Sequence, residues 1–219
     1  MTPRHALVVF DWDGTLMDST AVIARSIQAA CRDLGVAVPS DIDAAFVIGL
    51  GLQEALRIAV PSLDPRRYDE MALAYRRHYF AHDDDLTLFP GVLEMLTALR
   101  DAGCRLAVAT GKSRAGLDRA LAHVDLRGLF DATRTADQTA SKPDPAMLFE
   151  IMDELGHEPA QTLMIGDTTH DLQMARNAGT AAVGVAYGAH DAAALAALQP
   201  LCVADSVAAL QRFLLDPQT

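Results

Sequence analysis

Cysteine is scarce in this chain: Cys31, Cys104 and Cys202 are the only three in 219 residues. They are far apart, odd in number and without metal-ligand spacing. That pattern argues against a disulfide framework or a zinc site and reads as small buried hydrophobes in a reducing cytoplasm. Long apolar runs are missing too. Nothing approaches the roughly 18 consecutive apolar residues that span a bilayer, and the first apolar run reads as a strand rather than a secretory leader. No membrane association is expected. Positive charge is in deficit, with 18 Lys and Arg against 29 Asp and Glu and a formal net charge of −11. Such a balance repels nucleic-acid phosphates and argues against that partner. A small anionic substrate stays possible, because one bound cation and one or two lysines reverse the local field. Internal repeats, low-complexity tracts and long linkers are also absent.

What remains is a chain with 51% hydrophobic residues, long enough to bury a sizeable core. The run Ala6 to Phe10 is too short for a helix and rich in β-branched residues, so it reads as a buried strand. From Asp18 to about Asp85 the pattern is helical throughout, with helices expected near 19–34, 41–47, 52–60 and 65–82. From Leu86 onward, helices alternate with strands. A helix opened by Pro90 turns Val92, Leu93, Leu96 and Leu99 inward. Strands are expected at 105–109, weakly at Phe130-Asp131, and at 162–165, 181–185 and 202–203. Asp144 is expected to cap the helix that Gly156 ends. This alternation predicts an α/β fold with a doubly wound parallel sheet. Residues 1–17 and 87–219 form the core domain in this reading, and residues 18–86 form an inserted all-helical domain.

The first strand ends in Asp11-Trp12-Asp13-Gly14. In an open α/β sheet, ligands bind outside the carboxyl ends of the strands. Asp11 therefore stands at a crevice, and Gly14 permits the turn that curls Asp13 back over it. Two carboxylates this close repel each other, and a divalent cation keeps both ionised at neutral pH. Three more stretches fall at strand ends or just before a helix: Thr110-Gly111, Lys142-Pro143 and Gly166-Asp167-Thr168-Thr169-His170-Asp171.

This set, in this order, resembles the haloacid dehalogenase-like hydrolase superfamily. Its D-x-D-G-T signature matches Asp11 to Thr15, its strand-end Thr or Ser matches Thr110, its Lys before Pro matches Lys142, and its G-D-x-x-x-D matches Gly166 to Asp171. The resemblance covers essentially the whole chain and implies a strand order with the Asp11 strand central. The helical insertion is similar to the cap of the subgroup that includes phosphoglycolate phosphatases and β-phosphoglucomutases. Within that resemblance, Gly49 and Gly51 match the cap's specificity loop, while Gly14, Thr15 and Gly111 fall at the substrate.

The same residues suit phosphate-ester chemistry. Asp11 can attack phosphorus and form an aspartyl-phosphate, while the side chain of Asp13 protonates the leaving alcohol and later takes a proton from water. Thr110 and the Gly111 amide can hold phosphoryl oxygens, and Lys142 can neutralise their charge. Mg²⁺ is the expected cofactor, held by Asp11, Asp167 and the backbone carbonyl of Asp13, with Asp171 reinforcing the site one helical turn on. Asp18 and Ser19 are expected as turn and N-cap, and Lys112 and Arg114 as solvated residues opening a helix. His170 is not expected as a ligand, since Mg²⁺ prefers oxygen, and His78 and His82 are expected on the surface. Asp13 argues against a dehalogenase, whose halide leaving group needs no proton. The cap has no lysine for a Schiff base, and its first helix has no histidine of the mutase kind. The expected function is a Mg²⁺-dependent phosphatase for a small phosphorylated metabolite, acting as a monomer or weak homodimer. A phosphosugar mutase and a non-catalytic phosphate-binding module are the alternatives.

Overall fold

The computed structural model describes residues 5–215, so the outermost ends of the expected core segments, 1–4 and 216–219, lie outside the described residues. Six parallel strands form one sheet: β1 (Leu7–Phe10), β2 (Arg105–Thr110), β3 (Ala132–Thr135), β4 (Thr162–Gly166), β5 (Ala181–Val185) and β6 (Val203–Ala204). Their order is β3-β2-β1-β4-β5-β6. β1 lies inside the sheet, paired with β2 on one edge and β4 on the other, as the family resemblance implies. Its four residues are all buried because both faces of the sheet are covered.

Strand alternation divides the core in two. Val8 and Phe10 face one way, with Leu106, Val108, Leu163 and Ile165, towards α5 (Val92–Asp101), α6 (Arg114–His123) and α10 (Val207–Leu215). Leu7 and Val9 face the other way, with Ala107, Ala109 and Met164, towards α7 (Ala146–Leu155) and α8 (Thr169–Ala178). A short helix α9 (Ala192–Ala196) covers β5 and β6. No helix among the described residues is long and apolar enough to cross a membrane.

Between β1 and α5 the chain is helical: α1 (Thr20–Leu34), α2 (Asp41–Phe46), α3 (Leu52–Ala59) and α4 (Tyr68–Phe80), with 3-10 turns at Pro65–Arg67 and Asp83–Asp85. α1 buries Ile23, Ile27, Ala30 and Cys31, and α4 buries Tyr68, Met71, Ala72, Ala74 and Tyr79. These stripes at helical spacing pack the two helices against each other. The insertion leaves and rejoins the core through adjacent chain segments. Asp18 N–H donates to the Thr87 carbonyl (3.0 Å) and Phe89 N–H to that of Leu16 (3.0 Å).

Several local expectations are corrected. Leu93 is 50% exposed, and Met95 takes its place beside Val92, Leu96 and Leu99, because i, i+3, i+4, i+7 is the stripe that faces the sheet. The weak strand falls at Ala132–Thr135, just after Phe130-Asp131. It pairs only with β2, and an edge position does not require apolar residues. Pro145, not Asp144, precedes α7, although the Asp144 carboxylate still accepts from Ala146 N–H (2.9 Å). Cys31 and Cys104 are buried, whereas Cys202 is only partly so.

Candidate active site

Asp11 extends β1 by one residue. Its N–H donates to the Ile165 carbonyl (2.9 Å), which fixes it at the sheet's carboxyl edge beside the end of β4. The chain then turns at Gly14, where φ is +78°, and Gly14 N–H closes the turn on the Met17 carbonyl (2.9 Å). Asp11, Asp167 and Asp171, all buried, offer carboxylate oxygens within 4.8 Å of one another. Each is placed by a different element. Asp167 follows β4 and accepts from Thr15 Oγ1 (2.8 Å) and Ala189 N–H (2.7 Å). Asp171 is in the first turn of α8, where one oxygen accepts from the hydroxyl (2.7 Å) and N–H (3.1 Å) of Thr168, a capping box. Its helix-capping and cluster positions are therefore compatible.

Lys142 enters this group from the loop before α7. Its Nζ lies 2.8 Å from Asp11 Oδ1 and 2.7 Å from Asp171 Oδ1, and its side chain is wholly buried. Among the described residues, Asp11 Oδ2 has no hydrogen-bond partner. Burial raises the Asp11 carboxyl well above its usual range, with Lys142 opposing and Asp171 and Asp167 adding to the rise. Asp167 is pushed up to about 7, by burial first and by Asp171 second. Burial disfavours the Lys142 charge, but Asp11 and Asp171 outweigh it and keep the ammonium protonated. Three ionised carboxylates and one ammonium would leave two negative charges uncompensated in a buried space. A divalent cation cancels that charge, and the unpartnered Asp11 oxygen is a donor it could use. The all-oxygen donor set suits a hard ion such as Mg²⁺.

Asp13 faces elsewhere, and its carboxylate is not part of the acidic cluster. Ser19 Oγ donates to Asp13 Oδ1 (2.6 Å), and Lys112 Nζ stands 3.1 Å from the same oxygen. The Lys112 ammonium also donates to Tyr79 Oη (2.9 Å) and lies 4.7 Å from the centre of that ring. Burial opposes its charge, yet Asp13 and the two phenols Tyr79 and Tyr75 hold it protonated. The Tyr79 phenol itself is pushed up to about 12, chiefly by burial. Asp13, Gly111 and Lys112 line one side of a pocket of about 450 Å³, and Gly49, Gly51 and Tyr75 from the helical insertion line the other. A larger groove of about 720 Å³ runs along α1; neither it nor the 450 Å³ pocket is lined by the clustered carboxylates, but only the smaller one reaches Asp13 and Gly111.

The insertion is seated on the core through its glycines. A β-carbon on Gly111 would fall on the carbonyls of Gly49 and Leu50, and one on Gly49 would lie 3.3 Å from Thr168 Oγ1 and 3.8 Å from Asp11 Oδ2. Gly51 N–H donates to Ser141 Oγ (2.9 Å). Thr110 is buried, and its hydroxyl oxygen accepts from Lys112 N–H (3.2 Å). A second contact joins the Phe46 carbonyl to both His170 Nε2 (2.8 Å) and His190 Nε2 (3.0 Å). The Phe46 ring stacks on His190 and meets His170 edge-on, each at 5.3 Å.

A sequence profile described as Haloacid dehalogenase-like hydrolase matches residues 8–185, most of the chain and every element of this site up to β5. The chain belongs to this hydrolase family. It is 38% identical to the Probable phosphatase IndB of Dickeya dadantii (strain 3937), over 91% of this chain and 89% of that protein. It is 34% identical to the pyrophosphatase PpaX of Halalkalibacterium halodurans, over 84% and 86%. A solved structure from Haemophilus somnus 129pt, described as a predicted phosphoglycolate phosphatase, superposes with a TM-score of 0.84 at 28% identity, covering 96% of this chain and 98% of that one.

In this haloacid dehalogenase-like hydrolase, the structure brings Asp11, Asp167, Asp171 and Lys142 together and gathers Asp13, Gly111, Gly49 and Gly51 around the pocket. Thr15 turns its hydroxyl to Asp167. Two expectations are corrected. Ser19 holds the N-cap position of α1 but makes no capping bond with its hydroxyl, which goes to Asp13 instead. Lys112 is not solvated: its side chain is 11% exposed and pairs with Asp13. Arg114 bonds Asp118 and Thr133, away from the carboxylates. His78 pairs with Asp33. Tyr79, Ala189 and His190 carried no sequence signal, but Lys112 did. The chain has two lysines among its 18 basic residues, and both end at this site.

Proposed function

We propose that the protein is a Mg²⁺-dependent phosphatase that hydrolyses a small phosphate ester of the phosphoglycolate kind through an aspartyl-phosphate on Asp11. Residues 1–17 and 87–219 would form the catalytic core and residues 18–86 a cap over it. The observation that carries this reading is the division of labour between Asp11 and Asp13. Two residues apart, one belongs to the buried acidic cluster with Lys142 and the other to the pocket with Ser19 and Lys112. The two roles, a nucleophile for phosphorus and a proton carrier for the leaving group, thus fall to carboxylates held by different partners, Lys142 for Asp11 and Ser19 with Lys112 for Asp13.

In the first step an Asp11 oxygen bonds to phosphorus as the phosphorus–ester bond breaks, and the leaving oxygen takes a proton from the Asp13 carboxyl. In the second step water bonds to phosphorus, gives its proton to Asp13, and the phosphorus–Asp11 bond breaks to release phosphate. Lys142 balances charge at Asp11 throughout. Thr110 and the Gly111 amide orient the phosphoryl oxygens, and the Ser19 hydroxyl holds Asp13 in place. Asp11, Asp167, Asp171 and the Asp13 carbonyl would hold Mg²⁺, which when bound supplies positive charge for the phosphoryl oxygens. Gly49 and Gly51 let the cap backbone come close enough to exclude water. The relatives' names support phosphate-ester or phosphoanhydride chemistry.

The test is phosphate release from a panel of phosphomonoesters and pyrophosphate with Mg²⁺, with EDTA, and with Asp11→Asn. Turnover that needs both the metal and Asp11 is expected. Turnover that survives Asp11→Asn overturns the aspartyl-phosphate route.

A further inference from the structure

Both lysines of this otherwise arginine-dependent chain point into the site, but only Lys142 has a task in the reaction above. Lys112 needs its own account. Its side chain is almost enclosed, with the Asp13 carboxylate 3.1 Å away and the Tyr79 hydroxyl 2.9 Å away. It lines the 450 Å³ pocket, together with Arg57 and Arg76 and with two carboxylates, Glu54 and Asp137, of which Asp137 already accepts from Arg114 N–H and Thr135 Oγ1. Asp13 is already held by the Ser19 hydroxyl at 2.6 Å, so orienting the carboxylate does not by itself call for an ammonium. A compact ammonium has three donors, and two of them are accounted for by Asp13 and Tyr79.

Asp13 marks where the leaving oxygen must lie, since it exchanges a proton with that oxygen. Lys112 therefore stands beside the leaving group rather than beside the transferred phosphoryl group, which faces Lys142. A cation fixed at that place, poorly hydrated and anchored through Tyr79 to α4, favours a leaving group that carries negative charge of its own. We propose that Lys112 is a specificity-determining residue that recognises a second anionic group, carboxylate or phosphate, carried next to the leaving oxygen. It would select doubly anionic substrates over those with neutral tails. This rests on the phosphatase reading of the same site and narrows its substrate class.

The experiment compares kcat/KM of the Mg²⁺-loaded enzyme for three compounds. These are 2-phosphoglycolate, pyrophosphate, and 2-hydroxyethyl phosphate, in which a hydroxymethyl group replaces the carboxylate of the first. Wild type is expected to favour at least one of the two anionic compounds over the neutral one by ~10-fold or more, the worth of a charged hydrogen bond. A preference for 2-phosphoglycolate reports a carboxylate directly, whereas for pyrophosphate, with its better leaving group, recognition of a phosphate is read from the fall of the ratio in Lys112→Gln. Lys112→Gln is expected to collapse that ratio towards one, mainly through KM, whatever happens to the absolute rates, and Lys112→Arg to retain part of it. Tyr79→Phe, which keeps the charge but removes its anchor, is expected to lower the ratio by about 3-fold and serves if Lys112→Gln does not fold.

A wild-type ratio near one overturns the proposal. So does a ratio unchanged in Lys112→Gln while both rates fall, because Lys112 would then serve only Asp13. A ratio unchanged in Tyr79→Phe overturns it when that variant stands alone. Absence of turnover on all three compounds and on the wider panel overturns the phosphatase reading and this inference with it. Turnover with a flat ratio overturns the inference alone.

Discussion

The carboxylate of Asp167 lies where the β-carbon of any other residue at position 14 would begin. Gly14 therefore serves twice, by accepting a φ of +78° and by leaving room for a cluster carboxylate. Gly14→Ala should cost about 1 kcal/mol for the left-handed backbone. It should also push Asp167 off Thr15 and Ala189, weakening Mg²⁺ binding by ~10-fold or more, as loss of support around a metal ligand does. Urea unfolding and calorimetric metal titration measure the two effects separately. Unchanged metal affinity would show that Asp167 holds its place without this cradle.

Lys142→Met removes the one cation that, among the described residues, pairs with Asp11 and Asp171. Breaking a buried pair typically costs about 3–5 kcal/mol, because the stranded charge stays buried. The metal-free variant should lose about that much stability at pH 7 and less at pH 5, where protonation relieves the stranded carboxylates. Denaturant midpoints at the two pH values decide it. An equal loss at both would mean that packing, not charge, is what Lys142 supplies.

Asp167 gives the metal-free protein a pH dependence of definite sign. Its carboxyl titrates near 7 in the folded state and at about 3.9 in the unfolded chain. The folded state therefore binds more protons between these values. The stability this contributes is full below about pH 4 and is lost as pH rises to about 7, by an amount of the order of a few kcal/mol. Mg²⁺ should act in the opposite sense, since it favours the ionised carboxylates. The rise in Tm on adding Mg²⁺ should be negligible near pH 4.5 and largest above pH 7. A metal effect independent of pH would contradict the raised carboxyl.

Phe46 joins the helical insertion to the core by ring contacts with His170 and His190, besides its carbonyl's bonds to both. Phe46→Ala should leave the carbonyl bonds in place and remove the ring contacts, a loss of about 0.5–1.5 kcal/mol. Faster amide exchange confined to the 44–51 segment and the loop before α8 is the expected signature. Uniformly faster exchange throughout the chain would mean a global effect instead.

The architecture was legible because β1, β2 and β4 are short apolar runs cut off by an acidic residue, a threonine or a glycine. The acidic cluster was legible because its members are sequence neighbours of those strand ends. Leu93 was misread since apolar side chains occur on the exposed face of α5 as well, and sequence periodicity did not separate Leu93 from Met95. β3 was displaced because an edge strand of Ala-Thr-Arg-Thr has no apolar signature. Lys112 was misread for a different reason. A basic residue opening a helix is usually solvated, and what makes this one otherwise is Asp13 from one segment and Tyr79 from another, brought together only in space. Ser19 was misread for the same reason, since its position predicts a cap while its hydroxyl finds Asp13.

The central place of β1 has a consequence for how the molecule comes into being. It is the earliest of the six strands in the chain, yet Leu7 pairs with Arg105 on one edge and Thr162 on the other. During synthesis one edge of β1 stays open until β2 emerges behind the whole helical insertion, and the other until β4 emerges, after much of the core. Asp11, Lys142 and Asp171 therefore meet only when long-range pairing is nearly complete. The complete cluster is among the last features the nascent chain acquires, so a partly made molecule carries the proposed nucleophile without the partners it would need.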